Sequence, residues 1–156
     1  MTKQVTACDV ALYFLLLSEK ANKRISNKKL QKLVYYAQAW TLALTGKSLF
    51  SEKIEAWIHG PAIPSLYRKY KKYGFHPIDC ENSNPNISNT KILDEVWRVY
   101  SKYDADYLEV LTHQEDPWIH ARDELEYGES SSSEISRKSM QDYYTKILSS
   151  ATDNEK

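Results

Sequence analysis

Apolar positions in the first fifty residues follow a helical rhythm. Val10, Tyr13, Phe14 and Leu17 stand at i, i+3, i+4 and i+7, the spacing of one buried helix face, and predict a helix over residues 6–21. Thr6 is placed to cap it, with Asp9 three residues on as an imperfect capping box. A second helix is predicted from Ser26 to Gly46. Ser26 suits the N-cap because its hydroxyl can accept a bond from an orphan backbone N–H. Ile25 and Leu30 fall at the two positions of a hydrophobic staple. Leu30, Leu33, Val34, Ala37, Thr41 and Leu44 form one stripe, and Tyr35, Tyr36, Ala39, Trp40, Leu42 and Ala43 cover much of the rest. A helix apolar on nearly all sides belongs at the centre of a bundle. Gly46, tolerant of the left-handed conformation, ends it.

The period changes over "KIEAWIHGP". Ile54, Ala56 and Ile58 alternate with Glu55, Trp57 and His59, which predicts one short β element near residues 53–59, broken by Gly60-Pro61. Pro64 suits the first turn of a new helix, which Gly74 stops. That helix interleaves Arg68, Lys69, Lys71 and Lys72 with Tyr67, Tyr70 and Tyr73. Residues 75–89, rich in Pro, Asn and Asp, read as a surface loop. A helix over about 90–102 carries Leu93, Val96, Trp97 and Tyr100 on one stripe, and Asp104 caps a short helix through Leu111. Asp116 and Pro117 read as N-cap and first position of the next helix, with Trp118 and Ala121 inward and Arg122 and Leu125 further along. After Gly128 comes a flexible polar run, "ESSSS". The last helix starts near Ser136, with Ile135 and Met140 again at staple spacing, and frays from about Thr152. The predicted fold is mainly α: a compact single-domain bundle of about six to seven helices with one short β element. The domain spans residues 6–148, followed by a polar tail over 149–156.

A chain of 156 residues is one ordinary domain. Its two cysteines, Cys8 and Cys80, make neither a disulfide framework nor a CxxC pair, which fits a reducing compartment. The longest apolar run, Val10 to Leu17, is far short of the about 20 residues of a membrane span. No small-residue cleavage site follows it, so the expectation is a soluble cytoplasmic protein without a membrane partner. Net charge is zero but unevenly placed. Residues 1–76 hold 13 Lys+Arg and 4 Asp+Glu, a balance of +9; residues 77–156 hold 8 and 17, a balance of −9. Either the halves pack together and neutralise, or a basic patch receives an acidic partner, protein or nucleic acid.

Candidate chemistry concentrates in "LTHQEDPWIHA", residues 111–121. His113 and His120 would align on an unbroken helix, but Pro117 stands between them, and no HExxH, HxH or cysteine partner is present. There is no GxSxG, neither cysteine adjoins a histidine, and four glycines supply no phosphate loop. His113 with Glu115 or Asp116 could serve as the acid and base of a small hydrolase. The alternative is a capped hinge that sets the angle of the Trp118 helix, and the residue pattern favours the hinge.

Three stretches together, "KLQKLVYYAQAWTLALTGKSLF", "IEAWIHGPAIPSLYRKYKKYG" and "LTHQEDPW" with Ala121 following, resemble the Panacea domain family of SocA-like antitoxins, also described as phage-associated GepA-like proteins. The likeness runs over about residues 6–145, in order and spacing. It implies a mostly helical domain encoded in bacteria, phages or mobile elements, with no catalytic residue, cofactor or metal. It also implies a cognate toxin protein as partner, and in one branch delivery of that toxin to a AAA+ protease. The family's W-x-x-G-P motif falls on Trp57, Gly60 and Pro61. Its T-H-x-E-x-P-W motif falls on Thr112, His113, Glu115, Pro117 and Trp118. The chain begins almost at the domain, the form without an added N-terminal segment. Hot spots favour Trp, Tyr and Arg, so the partner contacts are placed at Trp57, His59, Tyr67, Tyr70, Lys71 and Lys72. Core packing of Trp57 and Tyr67, and an ordinary solvated face for the lysines, are the competing assignments. A DNA-binding regulator is the rival function, because the tyrosine-interleaved basic helix could contact phosphates; zero net charge argues against it.

Overall fold

The computed structural model describes residues 4–80, 84–123, 125 and 129–154. Gly128 and the last two residues of the expected tail lie outside them. Among the described residues are seven α-helices and one two-stranded sheet, a mainly α architecture.

Helix α1 (Ala7–Lys20) opens with a complete capping box: Thr6 Oγ1 accepts from the Asp9 N–H at 3.1 Å, and Asp9 Oδ2 accepts from the Thr6 N–H at 2.9 Å. Asp9 thus does the work usually given to a longer Glu or Gln. Helix α2 (Asn27–Thr45) is capped by Ser26, whose Oγ accepts from the Lys29 N–H, and ends at Gly46 with φ +75°. The first helix also buries Ala7, Ala11, Leu15 and Ser18 beside the expected Val10 and Phe14, while Tyr13 and Leu17 are half-buried.

Helix α2 is the centre of the molecule, as its pattern requires. It packs against α1, α3 (Pro64–Tyr70), α4 (Lys91–Tyr100), α5 (Ala105–His113) and α7 (Arg137–Asn154). Leu44 departs from the predicted stripe and is exposed, because the last turn of α2 projects past the core. Several polar residues of this helix are buried as well, and its glutamines hold incoming connections. Gln38 accepts from the Leu49 N–H and donates to the Phe50 carbonyl; Gln31 accepts from the Ile63 N–H at 2.8 Å. Loop backbone buried against a helix needs such partners, since an unpaired N–H or C=O costs as much as a lost hydrogen bond.

The β element is a hairpin, β1 (Glu55–Trp57) with β2 (Gly60–Ala62), in register Glu55↔Ala62, Ala56↔Pro61 and Trp57↔Gly60. Gly60-Pro61 was expected to break the strand and instead begins the second one. Alternation in an antiparallel ladder explains the difference. The Ala56 N–H points away from β2, toward Ser133 O at 2.8 Å, so Ala56↔Pro61 is a pair that needs no proline N–H. The serine run is correspondingly pinned rather than loose: Ile135 donates to Ile54 O, and Glu134 bridges Glu55 on the outer side of β1.

Two helix boundaries also differ. Helix α6 (Asp116–Ala121) has Glu115, not Asp116, at its N-cap, with no side-chain cap bond; Arg122 is its C-cap and Leu125 lies beyond it, exposed. Glu115 cannot turn back to cap because its carboxylate is drawn into the core. Helix α7 starts after Ser136, whose Oγ accepts from the Ser139 N–H as expected, but runs through Asn154, so residues 149–154 are helix and not tail. Among the described residues no helix is long and apolar enough to cross a membrane.

Replacing Gln38 by Leu keeps the side-chain volume and strips the partners from Leu49 and Phe50. Denaturant unfolding should show a loss of about 1–3 kcal/mol with an unchanged slope. Ser26→Ala should cost about 1 kcal/mol in the same measurement.

Candidate partner-binding site

The alternation of the ladder turns the Ala56 and Pro61 carbonyls outward, and side chains from three elements bond to these two and to the Trp57 carbonyl. Trp118 Nε1 donates to Trp57 O at 2.8 Å, Arg122 Nη1 to Ala56 O at 2.9 Å, and Lys32 Nζ to Pro61 O at 3.2 Å. Arg122 Nη2 also donates to the Glu129 carbonyl, fastening the segment that precedes the serines. Gly60 has φ +106°, which favours glycine on backbone grounds. It is also required by space: a Cβ there would meet Lys32 Cε at 2.5 Å and Thr112 Oγ1 at 3.0 Å.

The polar motif at the end of α5 is the other jaw of the same clamp. Thr112 is fully buried against Gly60, with its hydroxyl donating to Glu109 O at 2.8 Å. His113 stacks on the Trp118 indole at 3.9 Å between ring centroids and is hydrogen-bonded to the Ile58 backbone; burial lowers its pKa, leaving a neutral ring. The Arg122 guanidinium lies 4.8 Å from the Trp118 ring. Glu115 faces the core, 7% exposed, and its Oε1 accepts from both Tyr36 (2.7 Å) and Tyr144 (3.0 Å). The Tyr144 hydroxyl also meets that of Tyr35 at 3.0 Å, and Tyr36 stacks flat on Tyr100 at 3.9 Å. Burial pushes the Glu115 carboxyl up to about 7 despite the two phenol donors, which favour its charged form. His113 and Glu115 therefore have separate partners and make no acid–base pair. His120 is exposed on α6.

Outside the clamp the hairpin walls a groove of about 230 Å³ against the N-terminal half of α2 and the end of α3. Trp57 and Tyr67 meet edge to face at 5.0 Å and line it, together with His59 and Lys71. These are four of the six residues expected to contact a partner. Tyr70 is only 1% exposed and packs into the core, because the α-helical phase of α3 turns it inward with Leu66. Lys72 is exposed beside Tyr73, away from the groove lining. Lys28, Lys32 and Phe75 are among the lining residues that the sequence pattern did not single out. Phe75 follows Gly74 and is 97% exposed, the most exposed of the large apolar side chains. Lys28 and Lys32 stand at i, i+4 on α2, within a lysine-rich run that looks like a solvated face; Lys32 is 2% exposed.

Charges of the two halves of the chain meet at this edge. Lys28 pairs with Asp106 at 2.8 Å and Glu109 at 3.1 Å, His59 meets Glu109 at 2.9 Å, and Arg24 pairs with Asp79. The opposed balances thus neutralise in part by intramolecular contact.

A family model described as the antitoxin SocA-like, Panacea domain matches residues 30–119. The chain belongs to this Panacea family. The matched region runs from the first turns of α2 into α6 and so contains the hairpin, Thr112, His113 and Trp118, and most of the groove lining. No curated protein and no solved structure matches the chain.

Two buried groups make stability depend on pH in opposite directions. The Glu115 carboxyl has a folded pKa of about 7, above its ordinary 4.5, so its contribution is complete below about pH 4.5 and lost as pH rises through about 7. Burial brings the Lys32 ammonium from 10.5 down to about 7, so its contribution is full above 10.5 and lost as pH falls through about 7. Unfolding free energy should show a trough near neutrality over about pH 5 to 9. Glu115→Gln should flatten the acid limb and Lys32→Met the alkaline limb. In the same assay Gly60→Ala should cost about 2–4 kcal/mol, from backbone strain and the collision with Lys32.

Proposed function

We propose that this Panacea protein neutralises a cognate toxin protein by direct binding, and that the groove beside the hairpin anchors the contact. The observation that carries this reading is the division of labour around the hairpin. The motif side chains Thr112, His113 and Trp118 are turned inward to hold it, while Trp57, His59, Tyr67 and Phe75 remain along one open edge. Exposed aromatic side chains on a rigid support are the usual centre of a protein interface. A stable interface buries about 1,600 Å² in total, so the groove is its middle and not its whole. Occlusion of the toxin needs no chemistry from this chain, in keeping with a site built for contact.

The direct test is growth rescue. Coexpression with the protein encoded beside it should relieve toxicity, and a neighbour that is harmless alone overturns the reading. Phe75→Ala removes a side chain that packs against little of the chain itself. It should weaken the complex by about tenfold or more by calorimetry while leaving the melting temperature unchanged.

A further inference from the structure

The groove has a chemistry of its own. Its apolar walls are Trp57, Ile58, Ala62, Tyr67 and Phe75, and its polar lining includes Lys28, Lys32 and Lys71. Among the described residues no carboxylate lines it. Lys28 is answered from the side by Asp106 and Glu109. Lys32 is not: its ammonium, with three donors, gives one to the neutral carbonyl of Pro61, and it lies fully buried in the floor of the groove. A buried ammonium with no carboxylate in contact is costly; burial, with Lys28 beside it, has drawn its pKa down to about 7 against the more distant pull of Glu109. An anion brought within reach would restore its charge and supply the missing counterion. Lys71 stands exposed at the rim, where it adds attraction without occupying the site.

Resting on the reading of this edge as the toxin contact, we infer that the groove receives an acidic segment of the partner protein, one carboxylate side chain seated toward Lys32 and Lys71 with an adjacent apolar side chain between Trp57, Tyr67 and Phe75. Charge complementarity selects the occupant. A purely apolar segment would cover Lys32 and leave it unpaired, whereas a bare anion would leave the aromatic walls in water. The carboxylate–lysine contact therefore discriminates among partners through the penalty of burying Lys32 without it, and the aromatic walls supply the area.

The probe is acetyl-Asp-Phe-amide, compared with its neutral isostere acetyl-Asn-Phe-amide and with inorganic phosphate. Each is titrated into the full chain while the indole N–H resonance of Trp57 is followed. The acidic dipeptide should shift that resonance saturably, with millimolar or better affinity, and the isostere should bind about tenfold or more weakly. Lys32→Met keeps the stem volume and removes the charge, and should bring the acidic dipeptide down to the level of the isostere. Lys71→Gln, at an exposed position that cannot unfold the domain, should weaken it by a few-fold. Equal binding of the two dipeptides, no saturable shift with either, or an unchanged response in Lys32→Met overturns the inference. So does phosphate reproducing the dipeptide's shift and affinity, since the site is then a plain anion pocket. The toxin assay separates the two claims. Growth rescue that survives in Lys32→Met, with a dipeptide response lost, leaves neutralisation standing and removes this groove from it. A dipeptide response without any rescue by the wild-type chain removes neutralisation and leaves the groove's preference intact.

Discussion

Everything at the functional edge depends on the outward carbonyls of the hairpin finding donors. Two strands of three residues cannot support themselves in water. Here Ala56 and Pro61 present their outward oxygens to Arg122 and Lys32, Trp118 adds a donor to the Trp57 oxygen, and the Ala56 N–H donates to the Ser133 carbonyl on the far side. Each bond is worth only about 1 kcal/mol net, but leaving any one unmade in this buried setting costs more than making it gains. The hairpin is thus positioned by side chains from α2, α6 and the Arg122 cap, and its exposed rim inherits their rigidity. The Panacea motifs, fifty residues apart in the chain, are two halves of this single arrangement.

Two buried charges of opposite sign lie on either side of that arrangement without meeting the same partners. Glu115 is held by a ring of tyrosines, whose own hydroxyls are pushed well above their ordinary pKa by burial and by the carboxylate. Lys32 is held by a carbonyl. Replacing either with an apolar residue of similar size would remove a desolvation cost, so stability alone does not account for them. The tyrosine cluster gives Glu115 a structural use: it fixes the height at which α6 starts and so the reach of Trp118 to the hairpin. For Lys32, partial satisfaction inside the groove points outward, to whatever fills it.

Much of the fold was legible in the chain. Apolar period identified α1, α2, α4 and the centrality of α2, and caps at Thr6, Ser26, Asp104 and Ser136 stood where the residue types placed them. Local pattern failed where a distant partner decides. Pro61 reads as a strand breaker until the alternation of the ladder shows that its N–H is not needed. Glu115 reads as loop until two tyrosines from other helices claim it. Gln31, Lys32 and Gln38 carry no local sign of the loops that α2 must hold. Of the candidate site, Trp57, His59, Tyr67 and Lys71 were visible in "WIHGPAIPSLYRKYKKYG", while Lys28 and Lys32, on a helix read as core, were not. Tyr70 was misplaced for the reverse reason: in a short helix with tyrosine every third position, one residue of phase separates the core from the groove.

The way β1 is bordered has a kinetic consequence. Its neighbours are β2 at close range, α6 some sixty residues later, and residues 133–135 nearly eighty residues away. Contacts of such separation form after local helices, because loop closure must precede any gain from them. The β1–β2 turn can therefore reach its final shape only when the chain has been made almost to its end. A nascent or truncated form lacking α7 and the strand-like residues before it would expose the aromatic rim on an unanchored ribbon.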